Sequence, residues 1–342
     1  MSVRPAESAT VRTVAAETGL SIATVCRVLN GHANVAPRTR ATVESALAAH
    51  GAAGPTARRH AGGRDGPVFV RCPYLLTDYF GSIVSAVAES LELHGVAVRL
   101  DAGETAQQRH PLGSLSAGEI SGAILILPPE APGEIVALRR RGFPFVIIDP
   151  RTSPPRDIAS VSAAHISGAW QATAHLLGHG HRRIGVVAGP QEWVTGVDRL
   201  AGHSAAMVDA GLMPPAELTR FTGPTLDEGQ AAAGDLLDLP DRPTALVCFN
   251  DKIAVGALRA ARDRGLGVPE DLSVTGFDDI DVATATTPQL TTVRQPLEEL
   301  GRTAVALLIR LMNGDQVEAL HMELATELVV RGSTAPVGAP TT

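Results

Sequence analysis

Three histidines and a serine are the first residues to weigh as chemistry. The segment HLLGHGH sets His175 and His179 four apart with His181 beside them, a spacing that could aim two imidazoles from one helical face at zinc. No carboxylate motif partners them, and the glycines mark a helix C-terminus, where the dipole favours imidazole. No metal site is expected. Ser204 in GHSAA half matches the strand-to-helix turn of a serine nucleophile, but Ala206 stands where the final glycine belongs and the segment reads as helix interior. Cys26, Cys72 and Cys248 are far apart with no CxxC pair, so reduced thiols are expected. No phosphate-binding glycine loop follows a strand. These residues support neither catalysis nor a cofactor.

The stretch SIATVCRVLN, residues 21–30, carries a different chemistry. Ser21 is a good N-cap, and Ile22, Val25, Val28 and Leu29 recur at helical spacing, so one stripe should be core. Ala23, Thr24, Cys26 and Arg27 are left facing outward. A solvated helix usually carries Glu–Lys pairs; this small, nearly neutral face with one arginine is shaped for close approach. A helix over about Arg12 to Thr18, closed by Gly19, precedes it, and another follows with Pro37 in its first turn and Val43, Ala46 and Leu47 on one face. Helix, short turn with glycine, helix is the helix-turn-helix pattern.

Charge separates this region from the rest. The 342 residues carry a net −7, yet residues 1–64 hold eight Arg against three Glu, a net +5, leaving −12 for the remainder. A small head for polyanions on an acidic body is the expectation. No run approaches the roughly 18 apolar residues of a membrane span, and the polar start has no signal-peptide core, so the cytoplasm is the expected location. Residues 50–66 are rich in Gly and Ala and lack any large apolar side chain, which reads as a linker.

The elements that follow are strands alternating with helices. Apolar runs at 68–70, 96–100, 123–127, 145–148, 183–188, 245–249, 272–277 and 326–330 are separated mostly by stretches long enough for crossover helices. That rhythm predicts parallel sheets covered on both faces. It restarts near residue 160, so two doubly wound lobes are expected, with ligands in a cleft at the strand C-terminal ends.

Residues 11–47, VRTVAAETGLSIATVCRVLNGHANVAPRTRATVESAL, resemble the DNA-binding head of the lactose-repressor (LacI) family. HLLGHGHRRIGVVAGP (175–190), FNDKIAVGALRAARDRGLGVPEDLSVTGFDDI (249–280), PQLTTVRQP (288–296) and TELVVRGST (326–334) extend the resemblance in order along nearly the whole chain. It implies an α/β protein: a three-helix head over 1–50, a hinge over 51–66, and a two-lobed periplasmic-binding-protein-like core over 67–342. The lobes would take about 67–160 plus 292–320 and 161–291 plus 321–334, before a flexible tail at 335–342.

By the same resemblance, Ile22, Ala23, Arg27 and Asn34 fall at groove-facing, base-reading positions, where Arg27 could hold guanine O6 and N7. Thr10, Thr24, Cys26, Asn30, Thr39 and Arg40 match positions that hold phosphates or the fold. Cys26 replaces a usual serine and is a weaker donor. In the hinge, Ala57 and Arg58 fit, but His60 takes the place of a leucine wedge, and Gly51 and Ala53 replace an aromatic and a proline. Asp149, Asn250, Asp278 and Gln295 match effector-cleft positions, with Tyr79, Phe80 or Trp193 available to stack on a sugar ring or to pack as core. Val197 stands where sugar-responsive relatives commonly carry arginine. The implied function is a homodimeric transcription repressor on a near-palindromic operator, switched by a sugar. A purine-like or anionic effector is the alternative, and a sugar receptor without DNA function is the rival. The tail shows no heptads, so a tetramerisation helix is not expected.

Overall fold

The computed structural model describes residues 10–29, 35–50, 66–106, 110–116 and 118–338, with the side chains of Arg12, Ala23, Cys26 and Arg27 outside the description. The chain divides into two compact units, Met1–Arg64 and Asp65–Thr342.

In the first unit, α1 (Val11–Thr18), α2 (Ile22–Leu29) and α3 (Pro37–His50) pack around Val14, Ala15, Val25, Val28 and Val43. Local chemistry sets each boundary. Thr10 Oγ1 accepts from the Thr13 N–H at 3.3 Å to cap α1, and Gly19, at φ 66°, closes it in the left-handed conformation. Ser21 Oγ accepts from the Thr24 N–H at 3.1 Å and so starts α2. His50 meets Glu17 at 2.8 Å, joining α3 to α1. The expected core stripe of α2 holds except at its first residue: Ile22 is 48% exposed. Helical side chains lean toward the N-terminus, so a first-turn residue projects past the end of so small a core.

The second unit contains two six-stranded sheets. The first comprises β1 (Val68–Cys72), β2 (Val98–Ala102), β3 (Gly122–Ile126), β4 (Phe145–Ile148), β5 (Ser160–Ala163) and β11 (His321–Leu324), all parallel, in the order β11-β5-β4-β3-β1-β2. The second comprises β6 (Ile184–Ala188), β7 (Thr219–Phe221), β8 (Ala245–Cys248), β9 (Ser273–Asp278), β10 (Thr291–Arg294) and β12 (Glu327–Val329), in the order β12-β10-β9-β8-β6-β7, with β12 antiparallel to β10.

Strand alternation assigns side chains to faces. Val68, Val70 and Cys72 pack on α4 (Asp78–Leu93) and α10 (Leu297–Met312), while Phe69 on the other face meets Ile135 and Leu138 of α5 (Pro132–Arg140). In the second lobe, α6 (His165–Gly178) and α7 (Val194–Asp209) pack together, as do α8 (Leu226–Leu237) and α9 (Asp251–Asp263). Each fully buried Ile, Leu or Val contributes about 1.5–3 kcal/mol.

The chain passes between the lobes three times, after β5, after β10 and after β11. Three strands therefore differ from the expected partition. Residues 160–163 and 321–324 belong to the first sheet and 291–294 to the second, whereas the family resemblance placed the second lobe over about 161–291 and 321–334. Residues 51–65 of the expected hinge over 51–66 and 339–342 of the expected flexible tail over 335–342 lie outside the described residues, while Ala335 and Val337 of that tail are held to the core, their N–H groups donating to Ser273 Oγ and the His179 carbonyl, each at 3.0 Å.

Candidate functional site

A cavity of about 560 Å³ lies between the lobes at the C-terminal ends of their strands, lined from both sides. Among the described residues, the non-glycines with positive φ are Leu127 (44°) after β3, Asp149 (47°) after β4, Asp278 (124°) at the end of β9 and Asp279 (58°) just after it. Such conformations persist where surrounding structure holds them, and they gather at functional sites. Asp251, fully buried at the start of α9, holds the turn after β9: its carboxylate accepts from the Ile280 N–H at 3.0 Å and the Thr292 hydroxyl at 2.5 Å.

A hydrogen-bonded network forms the polar part of the cleft. Tyr79 donates its hydroxyl to Asp149 Oδ2 at 2.5 Å, and His165 Nε2 meets Asp149 Oδ1 at 3.1 Å. Arg199 Nε donates to His165 Nδ1 at 3.3 Å, which assigns the imidazole proton to Nε2. The Arg199 guanidinium lies 3.7 Å from the Phe277 centroid and 4.5 Å from that of Phe249, donates to the Phe249 carbonyl, and comes within 3.7 Å of Asp278 Oδ1. Gln295 Nε2 donates to Asp278 Oδ1 at 2.6 Å.

These surroundings split the two acids. Burial raises Asp149, but His165, the Tyr79 hydroxyl and Arg199 outweigh it and hold the carboxyl below its ordinary value. Burial dominates at Asp278 and pushes it up to about 6 against the opposing pull of Arg199 and Gln295. Tyr79 is pushed well up by burial and by the Asp149 charge. At neutral pH this network therefore presents two carboxylates and one guanidinium, and Lys252 and Glu104 also line the cavity. Around them stand Tyr74, Phe80, Trp193 and Phe249, with Arg151 over the Trp193 ring at 4.9 Å.

Comparison with known proteins decides what this arrangement belongs to. A family model for bacterial regulatory proteins of the lacI family matches residues 10–51, and one for a periplasmic binding protein-like domain matches 173–334. The HTH-type transcriptional repressor CytR of Escherichia coli (strain K12) is 32% identical over 330 residues, covering 96% of each chain. The chain belongs to the LacI family. It is a transcriptional regulator and not an enzyme. A complex of the transcriptional regulator CelR with cellobiose superposes with a TM-score of 0.73 at 33% identity, covering 96% of this chain and 100% of that one. The lac repressor dimer bound to operator and the anti-inducer ONPF superposes with a TM-score of 0.71 at 28% identity, covering 95% and 99%.

In this LacI-family chain the cavity lining brings together Tyr79, Phe80, Asp149, Trp193, Asn250 and Asp278 from the expected set. Phe80 stacks on Tyr74 with centroids 4.5 Å apart, so part of its surface is committed to packing. Asn250 faces the cavity and also caps α9, accepting from the Ile253 N–H at 2.8 Å, while its amide donates to the Pro224 carbonyl. Gln295 sits behind Asp278 rather than in the lining. Val197 is 55% exposed and lies outside the lining. Two positions along a helix turn a side chain by about 200°, so the residue aimed inward is Arg199, which the sequence reading missed. An arginine in a run of mostly small and apolar residues, VTGVDRLAG, was the available signal. His165, Tyr74, Thr195 and Lys252 were also missed.

In the head, Ile22 is exposed at the start of α2, Thr10 and Thr24 are engaged in caps, and Thr39 and Arg40 are half-buried on α3. The helix backbone carries Ala23, Cys26 and Arg27, whose side chains are outside the description, and Asn30, Asn34, Ala57, Arg58 and His60 lie outside the described residues.

Proposed function

We propose that this LacI-family protein is a transcriptional repressor that binds a near-palindromic operator as a homodimer and is switched by a neutral, polyhydroxylated effector, a sugar, in the interlobe cleft. The network Asp149–His165–Arg199–Asp278 carries the reading. Ionised carboxylates accept hydroxyl hydrogens, and buried donors and acceptors from both lobes fix a polyol in orientation. A phosphate or carboxylate effector is disfavoured, because Asp149, Asp278 and Glu104 line the cavity against Arg199 and Lys252, and Arg199 is already bonded to the Phe249 carbonyl. With Arg199 in the lining, the exposed Val197 no longer argues against a sugar. The cellobiose complex of CelR and the operator complex of the lac repressor dimer agree with this assignment.

The effector acts through its differential affinity for two lobe arrangements, which alters the spacing of paired heads on DNA. A thermal-shift screen of mono- and oligosaccharides, nucleosides and sugar phosphates tests the effector class. A sugar should raise the midpoint of the protein and not that of Asp278→Ala; a response confined to phosphates would overturn the assignment. Binding to DNA enriched from a random pool should fall steeply with salt, whereas a sugar receptor without DNA function would enrich nothing.

A further inference from the structure

Resting on the reading of the cleft as a site for a neutral polyhydroxylated effector, we infer that its occupant is a disaccharide. One ring is held by the Asp149–Arg199–Asp278 network, and the second lies against the wall formed by Tyr74, Phe80 and Trp193.

Size is the first ground. A hexose has about twelve heavy atoms and a disaccharide about twenty-three; at the ~30 Å³ that each water takes in the liquid, an upper bound because bonded atoms sit closer than separate waters, they fill at most about 360 Å³ and about 690 Å³. The cavity offers about 560 Å³. A single ring in the polar network would leave the rest of the cavity to water beside apolar walls.

The second ground is how the polar lining is divided. Tyr79, Asp149, Arg199 and Asp278 belong to one bonded network. Thr77 and Lys252 form another, with Lys252 Nζ donating to Thr77 Oγ1 at 3.3 Å from the opposite lobe, and Glu104 also lines the cavity. Two polar groups with aromatic and aliphatic surface (Trp193, Leu226) suit two hydroxylated rings, each with an apolar face and a polar rim.

The aromatic geometry separates a sugar from a nucleobase. Among the aromatic pairs of the described lining, Tyr74 and Phe80 are the parallel one, and they are in contact at 4.5 Å with no slot between them. Trp193 meets Tyr74 and Phe249 edge-on, at 69° and 67°. A flat base sandwiched between rings has no place here, whereas a pyranose needs only one aromatic face.

Calorimetric titration of the full-length protein with glucose, galactose and ribose, and with cellobiose, maltose, lactose and trehalose, tests the inference. At least one disaccharide should bind about tenfold or more tightly than its component monosaccharides. Leu226→Trp, which fills the space for the second ring, should lower that affinity toward the monosaccharide level, by a larger factor than any change in monosaccharide binding. Trp193→Ala should do the same by removing the wall, and far-UV circular dichroism checks that each variant folds. Monosaccharides binding as tightly as every disaccharide, or both variants weakening the two classes equally, would overturn the second-ring site and leave the sugar reading standing. Binding of cytidine or adenosine with no response to any sugar would overturn the sugar reading itself, and the inference with it.

Discussion

At the scale of single residues, the cleft depends on how burial is balanced at two acids. Asp278 has an ordinary value of 3.8 and is raised to about 6. An unfolded chain has released this proton by about pH 5 while the folded one still holds it, so stability falls as pH rises through the window from about 4 to 6. The melting temperature of the wild type should therefore fall relative to that of Asp278→Asn between about pH 4 and 7, and parallel curves would refute this. Effector binding that needs the ionised carboxylate should weaken below about pH 6 in the wild type. Arg199→Ala should abolish effector binding, whereas Val197→Ala should leave it intact and change stability by no more than about 0.5 kcal/mol. Equal effects of the two would place the arginine's role elsewhere. Asp149 and Asp278 were expected at the cleft from the family resemblance, and both stand at the ends of apolar runs. Arg199 was not, since a helix pattern alone does not say which face a second lobe will cover.

At the scale of elements, caps and close contacts do most of the positioning. Ser21→Ala removes the cap of α2 and should cost about 1 kcal/mol, read as a lower melting point and as weaker binding to every DNA sequence alike. Arg27→Ala should instead relax preference at one base pair, costing about 1–3 kcal/mol on the preferred site. A uniform loss for Arg27→Ala would reduce it to a phosphate contact. In the core, α6 and α7 approach so closely at Gly202 that an added Cβ would lie 3.0 Å from the Ala169 Cβ and closer still to the Ile166 carbonyl. Gly202→Ala should destabilise by about 1–3 kcal/mol in denaturant titration. The long apolar strands were readable from sequence, and so were the three helices of the head. The strands β5, β7, β10 and β11 were not: they span three or four residues each, and SVSA, TRF, TTVR and HMEL contain no apolar run. Thr291 and Thr292 are wholly buried in β10 because sheet and side-chain hydrogen bonds satisfy them, which pattern reading cannot anticipate.

At the scale of the whole molecule, two compact units with opposite charge share one chain. An effector that binds the second unit stabilises that unit by mass action. Scanning calorimetry should show a saturating sugar raising the transition of the core and leaving that of the head in place; a joint shift would mean that the two melt as one. The three passages between the lobes have a consequence of a different kind. Neither lobe is a continuous stretch of chain, because the last strands of each come after the other has been built. No single cut in the gene yields one lobe intact, while a single cut near codon 64 separates the head from everything else. Recombination between related genes can therefore exchange heads freely but not lobes. Over a lineage, the choice of operator is inherited as a replaceable part and the cleft as an indivisible one.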